Sequence, residues 1–243
     1  MRVSFRTGGM DPEMVESVGF RWPAAVRRWR EGRRSLRATN GFTLDPRFSR
    51  GGHFGGPSGI ACPSCSLPLL NLVTITRQRA LRLCGWREET LRVVFCWRCG
   101  AGQAPLWYRQ MGNSLHLLQH GSGAIVEDFP YPGYPEQVPK IEFGLVALPR
   151  QLASLQHELA GEVVWPQDLI RFLETPRHQF LGAPFVHDER EHKCLSCGKR
   201  MKLVLTIEND IGEGYIQTDN SDVMLVVKAC TDCSILVVEQ QCD

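Results

Sequence analysis

Four C-x-x-C pairs constrain the fold of this chain of 243 residues more than any other feature. In each half of the chain a segment of about thirty residues separates two pairs, so a hairpin between them can bring four thiols together. Zinc in structural sites favours tetrahedral coordination by four thiolates. The sequence therefore predicts two structural Zn²⁺ ions, with the ligands Cys62, Cys65, Cys96 and Cys99 in the first site and Cys194, Cys197, Cys230 and Cys233 in the second.

Other roles for these cysteines are iron–sulfur ligation, redox-active dithiols and plain burial. A zinc ion held by four thiolates has no open position, so it stabilises a fold and does not activate water. The chief catalytic alternative is a zinc deaminase, because His187-Asp188-Glu189 has the H-x-E form and precedes a C-x-x-C pair. That pair follows too closely for the deaminase pattern and lacks the preceding proline. We therefore predict no enzyme, no catalytic residue and no organic cofactor.

The two halves of the sequence repeat one pattern. Leu69–Ile75 follows the first cysteine pair as Met201–Ile207 follows the third, and both segments end in Thr-Ile at equal distances from their cysteines. Upstream, His53–Pro57 matches Gln179–Pro184 with one extra residue. Because so many matches at equivalent spacings do not arise readily by chance, we infer an internal duplication.

The hydrophobic patterning predicts a mainly β fold of the α+β class. It has two pseudo-symmetric halves, each with a C-x-x-C…C-x-x-C zinc-knuckle hairpin, and a few helices. Runs of aliphatic and β-branched residues predict strands at 69–75, 91–95, 201–207 and 223–227. Start signals and apolar stripes predict helices at 11–37, 148–160 and 166–174. Whether the halves share one sheet or form two stays open.

We divide the chain into three segments. Residues 1–52 are an Arg-rich helical or irregular region, 53–145 hold the first zinc-knuckle β half, and 146–243 hold helices and the second zinc-knuckle β half. The first segment has eleven arginines, no lysine and five acidic residues, although the formal net charge of the chain is only +2. A solvated helix face explains such a charge run, and so does binding to nucleic acid or to an acidic protein.

The chain is expected to be cytoplasmic. Its first residues contain no long apolar region, and no run approaches the about eighteen apolar residues of a membrane span. Ten cysteines in a chain of this length without an export signal indicate reduced thiols that are available for metal.

The order of these features resembles the TYPP superfamily, which includes YwqG-like bacterial proteins and programmed cell death protein 2. The matching parts are a glycine–proline turn, a C-x-x-C pair, an L-x-L-x-I strand and a later C-x-x-C pair, within 55–99 and again within 182–233. The second copy has Ala183 where the first has Gly56, and both strands carry Thr where the family often has glutamine. The resemblance implies a duplicated, mainly β protein that binds another protein, as a toxin-immunity protein or a client-specific chaperone.

The leading hypothesis is a non-enzymatic protein-binding module that two zinc sites hold in shape. Exposed aromatic residues are favoured interface anchors, so Tyr131, Tyr134 and Trp107 are candidate contacts, unless they belong to the core. The alternative is a nucleic-acid-binding zinc-ribbon protein that uses the arginines of 27–37 and aromatic–arginine pairs such as Trp86-Arg87. Eight acidic residues and one lysine from residue 205 onward oppose this alternative, because that charge repels phosphates. No membrane partner is expected.

Overall fold

The structure is a computed structural model that describes residues 41–96, 99, 105–120, 138–149, 152–153, 156–157, 178–186, 190–208, 210–211, 214–215 and 223–242. The helix with both ends in this part of the chain is α1 (Gln78–Cys84). The strands are β1 (Gly41–Asp45), β2 (Gly52–Phe54), β3 (Leu70–Ile75), β4 (Leu91–Phe95), β5 (Leu106–Met111), β6 (Ser114–His120), β7 (Ile141–Ala147), β8 (His178–Leu181), β9 (Lys202–Glu208), β10 (Asp210–Ile211), β11 (Gly214–Tyr215), β12 (Val223–Cys230) and β13 (Ile235–Cys242).

Eleven of these strands form one sheet, in the order β4-β3-β2-β7-β1-β8-β9-β12-β13-β5-β6. All of its pairings are antiparallel. The four predicted strands are present as β3, β4, β9 and β12. The structure thus confirms a mainly β fold with two similar halves, and it shows that both halves share one sheet.

The strand order relates the two halves by an approximate twofold. Strands β1 to β5 of the first half correspond in turn to β7, β8, β9, β12 and β13 of the second. The pairing of β2 with β7 then corresponds to that of β8 with β1, and β3–β4 corresponds to β9–β12. The first strand of each half therefore pairs with the second strand of the other half. This exchange joins all three predicted segments in one sheet, and their boundaries stay a prediction.

The twofold relation fails where β4 meets β5. In the second half β12 and β13 form a continuous main-chain ladder, but β5 pairs with β13 on one edge and with β6 on the other. Tyr108 Oη donates to Arg92 O (2.9 Å) and accepts from Val94 N–H (3.2 Å). The Gln110 amide accepts from Arg92 N–H (3.0 Å) and donates to Thr90 O (2.9 Å). Side chains therefore satisfy the free edge of β4 and hold the curled sheet closed.

One hydrophobic cluster draws on both halves of the sheet. The rings of Phe54 and Phe143 meet with centroids 4.7 Å apart, and both side chains are fully buried. Phe95 and Phe180 extend the cluster into strands on either side. Burying apolar surface is the main favourable term in folding, so this shared core stabilises the two halves as one unit.

The helix α1 was not predicted from the sequence. It follows β3 directly and buries Ala80 and Leu81. It ends at Gly85, which has φ +81° and donates its N–H to Arg82 O, while Trp86 N–H donates to Leu81 O. This is the Schellman arrangement, in which glycine adopts the left-handed conformation and the last carbonyls of the helix find partners.

The predicted helices lie mostly beyond the described residues. Within 148–160 the structure describes four residues of the helix body, 152, 153, 156 and 157, and all four are helical. Ala153 N–H donates to Pro149 O at 3.0 Å, as the helical pattern requires. The segments 11–37 and 166–174 lie outside the described part of the chain.

Candidate metal centres

The hairpin of β3 and β4 assembles the first group of four thiols. Cys62 and Cys65 precede β3, and Cys96 and Cys99 follow β4, so the antiparallel pairing brings the two C-x-x-C pairs to the same end of the hairpin. The four sulfur atoms all lie within 4.8 Å of one another. Cys62 Sγ is 3.7 Å from Cys99 Sγ, and Cys65 Sγ is 3.5 Å from Cys96 Sγ.

The hairpin of β9 and β12 assembles the second group in the corresponding place. Cys194 and Cys197 precede β9, Cys230 ends β12, and Cys233 lies in the turn that follows. These four sulfur atoms also lie within 4.8 Å of one another, and Cys197 Sγ is 3.6 Å from Cys230 Sγ. The structure thus brings together the two sets of four cysteines that the sequence predicts as metal ligands.

Both groups fit a tetrahedral metal ion. Zn–S bonds of about 2.3 Å place the sulfur atoms of a tetrahedron about 3.8 Å apart. The sulfur separations of 3.5, 3.7 and 3.6 Å are close to that value. They are far longer than the about 2 Å of a disulfide bond, and the eight thiols are free. Each group can therefore hold one ion with sulfur at all four positions.

The turn before the first strand of each hairpin has the same main-chain hydrogen bonds in both halves. The N–H of Cys62 donates to the carbonyl five residues later at 2.7 Å, and the carbonyl of Cys62 accepts from Ser66 N–H at 2.8 Å. The same two bonds at Cys194 measure 2.8 and 2.9 Å, with Gly198 in the place of Ser66. Ser66 and Gly198 both have positive φ, 59° and 71°. The duplication therefore extends to the backbone that positions the ligands.

The protein environment favours the thiolate of Cys62 and opposes the thiolates of Cys96 and Cys99. Burial raises the pKa of Cys62, but the N–H groups of Cys65 and Ser64 and the neighbouring thiols outweigh burial, so that its pKa is lowered. Burial and the neighbouring thiols raise the pKa of Cys99 to about 12, and burial raises the pKa of Cys96 further. A bound cation must therefore displace protons from this group, which couples metal binding to pH.

In the second group the environment favours the thiolate of Cys197 and opposes those of Cys230 and Cys233. The N–H of Lys199, together with the neighbouring thiols, lowers the pKa of Cys197 to about 7. Burial and the neighbouring thiols raise the pKa of Cys230 to about 12, and burial also raises the pKa of Cys233. Cys197 is exposed, so its thiolate is the ligand that solvent and reagents reach first.

A second repeated feature lies at the ends of β2 and β8. His53 Nδ1 bonds Gly55 O at 3.1 Å, which requires the tautomer with the proton on Nδ1. Gln179 occupies the equivalent place and donates its amide to Leu181 O at 2.9 Å. The same amide exchanges two hydrogen bonds, of 2.8 and 3.0 Å, with buried Gln156. Both side chains hold the chain reversal that leads to the cysteines, so these roles are structural.

The backbone corrects one detail of the sequence comparison. Gly55 and Leu181 have φ of 62° and 61°, and the residues that follow, Gly56 and Gly182, have φ of 88° and 83°. The sequence comparison that set Ala183 against Gly56 is therefore wrong, because Gly182 has the equivalent conformation. Ala183 is the extra residue of the second copy.

A buried ionic cluster beside the second group was not anticipated. Lys228 Nζ lies 3.0 Å from Glu239 Oε1 and also donates to Arg190 O, and His192 Nε2 lies 3.1 Å from Glu239 Oε2. The His192 ring stacks on Trp107 at 5.4 Å, and burial lowers the pKa of His192. The available signal was a charged residue directly after an apolar run in each of two strands, VMLVVKAC and ILVVEQQC.

Trp107 belongs to the core and is not an interface anchor. Its side chain is 7% exposed and packs with Met201 and Ile235 against the second cysteine group. Tyr131 and Tyr134 lie outside the described residues, and their predicted contacts stay a prediction. Of the three predicted contact residues, Trp107 is therefore excluded as a contact, and the other two stay untested.

The remaining reactive residues form no further site within the described part of the chain. Cys84, which has no C-x-x-C partner, is partly buried, donates its thiol to Leu81 O at 3.0 Å, and has a pKa raised by burial. Residues 187–189, which suggested the deaminase alternative, lie outside that part. No helix in the described ranges is long and apolar enough to cross a membrane.

The fold and the two thiol groups define a duplicated β protein with two four-cysteine groups that can each hold a metal ion. No protein-family model matches the chain, and neither a curated protein nor a solved structure matches it significantly. The resemblance to the TYPP superfamily stays a prediction.

Proposed function

We propose that the protein is a non-enzymatic, zinc-stabilised protein-binding module of the cytoplasm. The observation that carries this proposal is the donor set, since each group consists of four sulfur atoms within 4.8 Å of one another. Four thiolates leave zinc no position for water or substrate. Each ion would then hold the two ends of a hairpin together and preserve the shape of the sheet.

Zinc is the metal that this donor set favours. Soft thiolate ligands in a tetrahedral arrangement suit zinc or iron, and the C-x-x-C hairpin is typical of structural zinc. The turns supply main-chain N–H groups, from Ser64 and Cys65 in the first site and from Lys199 in the second, that stabilise thiolate charge. Metal analysis of protein purified without chelator should give two zinc ions per chain, whereas iron would be recognised by its visible absorption.

Two exposed apolar side chains on neighbouring elements support the binding role. Phe48, in the turn after β1, is 54% exposed and lies over the backbone of Gly144 on β7. Val146, two residues further along β7, is 37% exposed. Exposed aromatic and aliphatic side chains on a rigid sheet are typical contacts for a protein partner. The TYPP resemblance implies that this partner is a toxin or a client protein, and both identities are part of the proposal.

Burial of the candidate stacking rings argues against the nucleic-acid alternative. Trp86, Trp107 and Tyr108, which belong to the aromatic–arginine pairs, are buried. Trp86 donates its Nε1–H to Thr90 O at 2.8 Å, and the Tyr108 hydroxyl bonds β4. A base cannot stack on a ring that the core already covers. The arginines of 27–37 lie outside the described part of the chain.

Affinity purification of the tagged chain from its native host tests the proposal, with and without nuclease. We expect one stoichiometric protein partner that survives nuclease and stays bound at high salt. Recovery of many nucleic-acid-binding proteins, all lost with nuclease or salt, would support the alternative instead. Because zinc content is measured separately, a failure of the binding role would leave the metal assignment intact.

A further inference from the structure

The two ends of the sheet differ in how their free edges are protected. At one end, the side chains of Tyr108 and Gln110 bond the outward main-chain groups of β4. At the other end, β6 (Ser114–His120) pairs with β5 alone, and no described residue bonds its outer edge. The side chains of 114–119 are exposed or half-buried, and Leu118 is 41% exposed.

The main chain of β5 identifies the groups of β6 that have no partner among the described residues. Gln110 N–H donates to Ser234 O at 2.9 Å, so the main chain of Gln110 is directed toward β13. Leu115 lies opposite Gln110 in the β5–β6 pair. In an antiparallel pair, two opposed residues either bond each other or both point their N–H and C=O groups away. Leu115 and, two residues later, Leu117 therefore present N–H and C=O groups at the outer edge.

The strand has none of the side chains that usually protect such an edge. Its sequence, SLHLLQH, contains no lysine, no proline and no acidic residue, although natural edge strands commonly carry one of these. Its one irregularity is the register shift at Leu118, which leaves Ser114–Leu117 regular. Leu115 and Leu117 pack against the core cluster and are still half-buried. An added strand would pair with their main chain and cover their side chains.

We propose that β6 binds an extended segment of the protein partner by β-augmentation. The regular part of the edge is four residues long, about 14 Å, and offers about four main-chain hydrogen bonds. That length suits an extended peptide and is too small for two globular surfaces, which need about 800 Å² on each side. The bound segment places apolar, uncharged residues against Leu115 and Leu117. A charged side chain buried there would find no opposite charge on β6 to compensate it. This proposal rests on the proposed binding function and adds the docking edge and the conformation of the bound segment.

Selection from a displayed library of random 12-residue peptides tests the edge directly. The full chain is the target, and the key variant is Leu117→Pro, which removes one outward N–H. Proline is tolerated on an edge strand where the N–H faces solvent, so the β5–β6 ladder is retained. Leu117→Val keeps the N–H and is the matched control. A second variant, Leu117→Lys, places a charge at the edge and keeps the question answerable if the proline variant misfolds.

We expect the selection to enrich peptides with alternating apolar residues. These peptides should bind the unmodified chain and the Leu117→Val control with equal affinity. Their affinity should fall at least tenfold with Leu117→Pro and with Leu117→Lys, while both variants keep two zinc ions. Hydrogen exchange of the Leu115 and Leu117 amides should slow when a peptide binds. Peptides that bind all variants equally, or the absence of any enriched peptide, would overturn the proposal. So would a concentration-dependent dimer that Leu117→Pro abolishes, because the occupant would then be a second copy.

The native partner separates this proposal from the proposed function. If purification recovers the same partner with Leu117→Pro and with the unmodified chain, the chain binds a protein but does not use β6, and this inference is wrong. If no protein partner is recovered with either, the binding function fails, and the peptide selection still decides whether the edge accepts a strand.

Discussion

The two metal groups have the same ligands and the same turns, but their surroundings differ. In the first group Cys62, Cys96 and Cys99 are each 1% exposed and belong to the main hydrophobic cluster. In the second, Cys197 is exposed, and the group packs with a small separate cluster around Trp107. Equal ligand geometry therefore does not imply equal structural importance. The first ion would support the core that both halves share, and the second would support the smaller cluster that includes Trp107 of β5 and Ile235 of β13.

The strongest test of this difference removes one ligand from each group. Structural zinc in zinc-finger peptides binds with about 10–16 kcal/mol, as much as the whole stability of a typical domain, about 5–15 kcal/mol. We expect Cys96→Ser to lose the first zinc ion and cooperative thermal unfolding. We expect Cys197→Ser to lose only the second ion and to unfold cooperatively at a lower temperature. Metal analysis and circular dichroism measure both results.

Cys84→Ser is the matched control for that experiment. Its thiol is partly buried and donates only to a main-chain carbonyl, a bond that a serine hydroxyl can also make. The control should keep two zinc ions and cooperative unfolding. If Cys96→Ser and Cys197→Ser proved equally damaging, the contrast in burial would have no structural consequence.

The buried ionic cluster of Lys228, Glu239 and His192 lies beside the second cysteine group and has no counterpart described beside the first. Lys228→Met would leave Glu239 buried without its lysine partner, and breaking such a pair costs about 3–5 kcal/mol. Chemical denaturation should show this loss of stability. The double variant Lys228→Met/Glu239→Leu should recover much of it, since an apolar replacement of both partners removes the uncompensated charge. A double variant less stable than the single would show that the cluster stabilises the fold in its own right.

The side chains that close the edge of β4 give a smaller effect in the first half. Tyr108→Phe would leave Arg92 O and Val94 N–H without their hydroxyl partner in a buried place. Such unsatisfied groups should reduce the free energy of unfolding by about 2 kcal/mol. Hydrogen exchange at the Val94 amide should accelerate at the same time. Unchanged exchange there would mean that another group protects the edge and that the hydroxyl is dispensable.

The sequence predicts the parts of the molecule that depend on local spacing. The C-x-x-C pairs predict both thiol groups, and the aliphatic runs that follow the first and third pairs predict the strands β3 and β9. The interlocked strands β1 and β7 could not be predicted, because their pairing joins segments about a hundred residues apart and no residue type marks it. The contrast in burial was also hidden, since both groups have identical ligands. It depends on which distant side chains cover them, and only the folded sheet determines that.

Metal removal should expose the same contrast as a difference in rate. A chelator at neutral pH should take zinc from the second group at least tenfold faster, because Cys197 is open to solvent. Alkylation followed by mass spectrometry would show which cysteines become reactive first. The free Cys197 thiol has a pKa of about 7, so its alkylation should slow as the pH falls through 7 and the thiolate is protonated. Simultaneous release from both groups would contradict the expected order.

The smallest effect should come from the ion pair that joins the two turns of the second site. Lys199 Nζ lies 2.8 Å from Asp232 Oδ2, and both side chains are at least half exposed. Exposed pairs of this kind contribute little, and salt screens them. Asp232→Asn should therefore shift Tm by less than about 2 °C and should leave two zinc ions bound. The first site has Leu67 in the position of Lys199 and cannot form this pair. A large loss of zinc from Asp232→Asn would mean that charge, and not the four thiols alone, holds the exposed site closed.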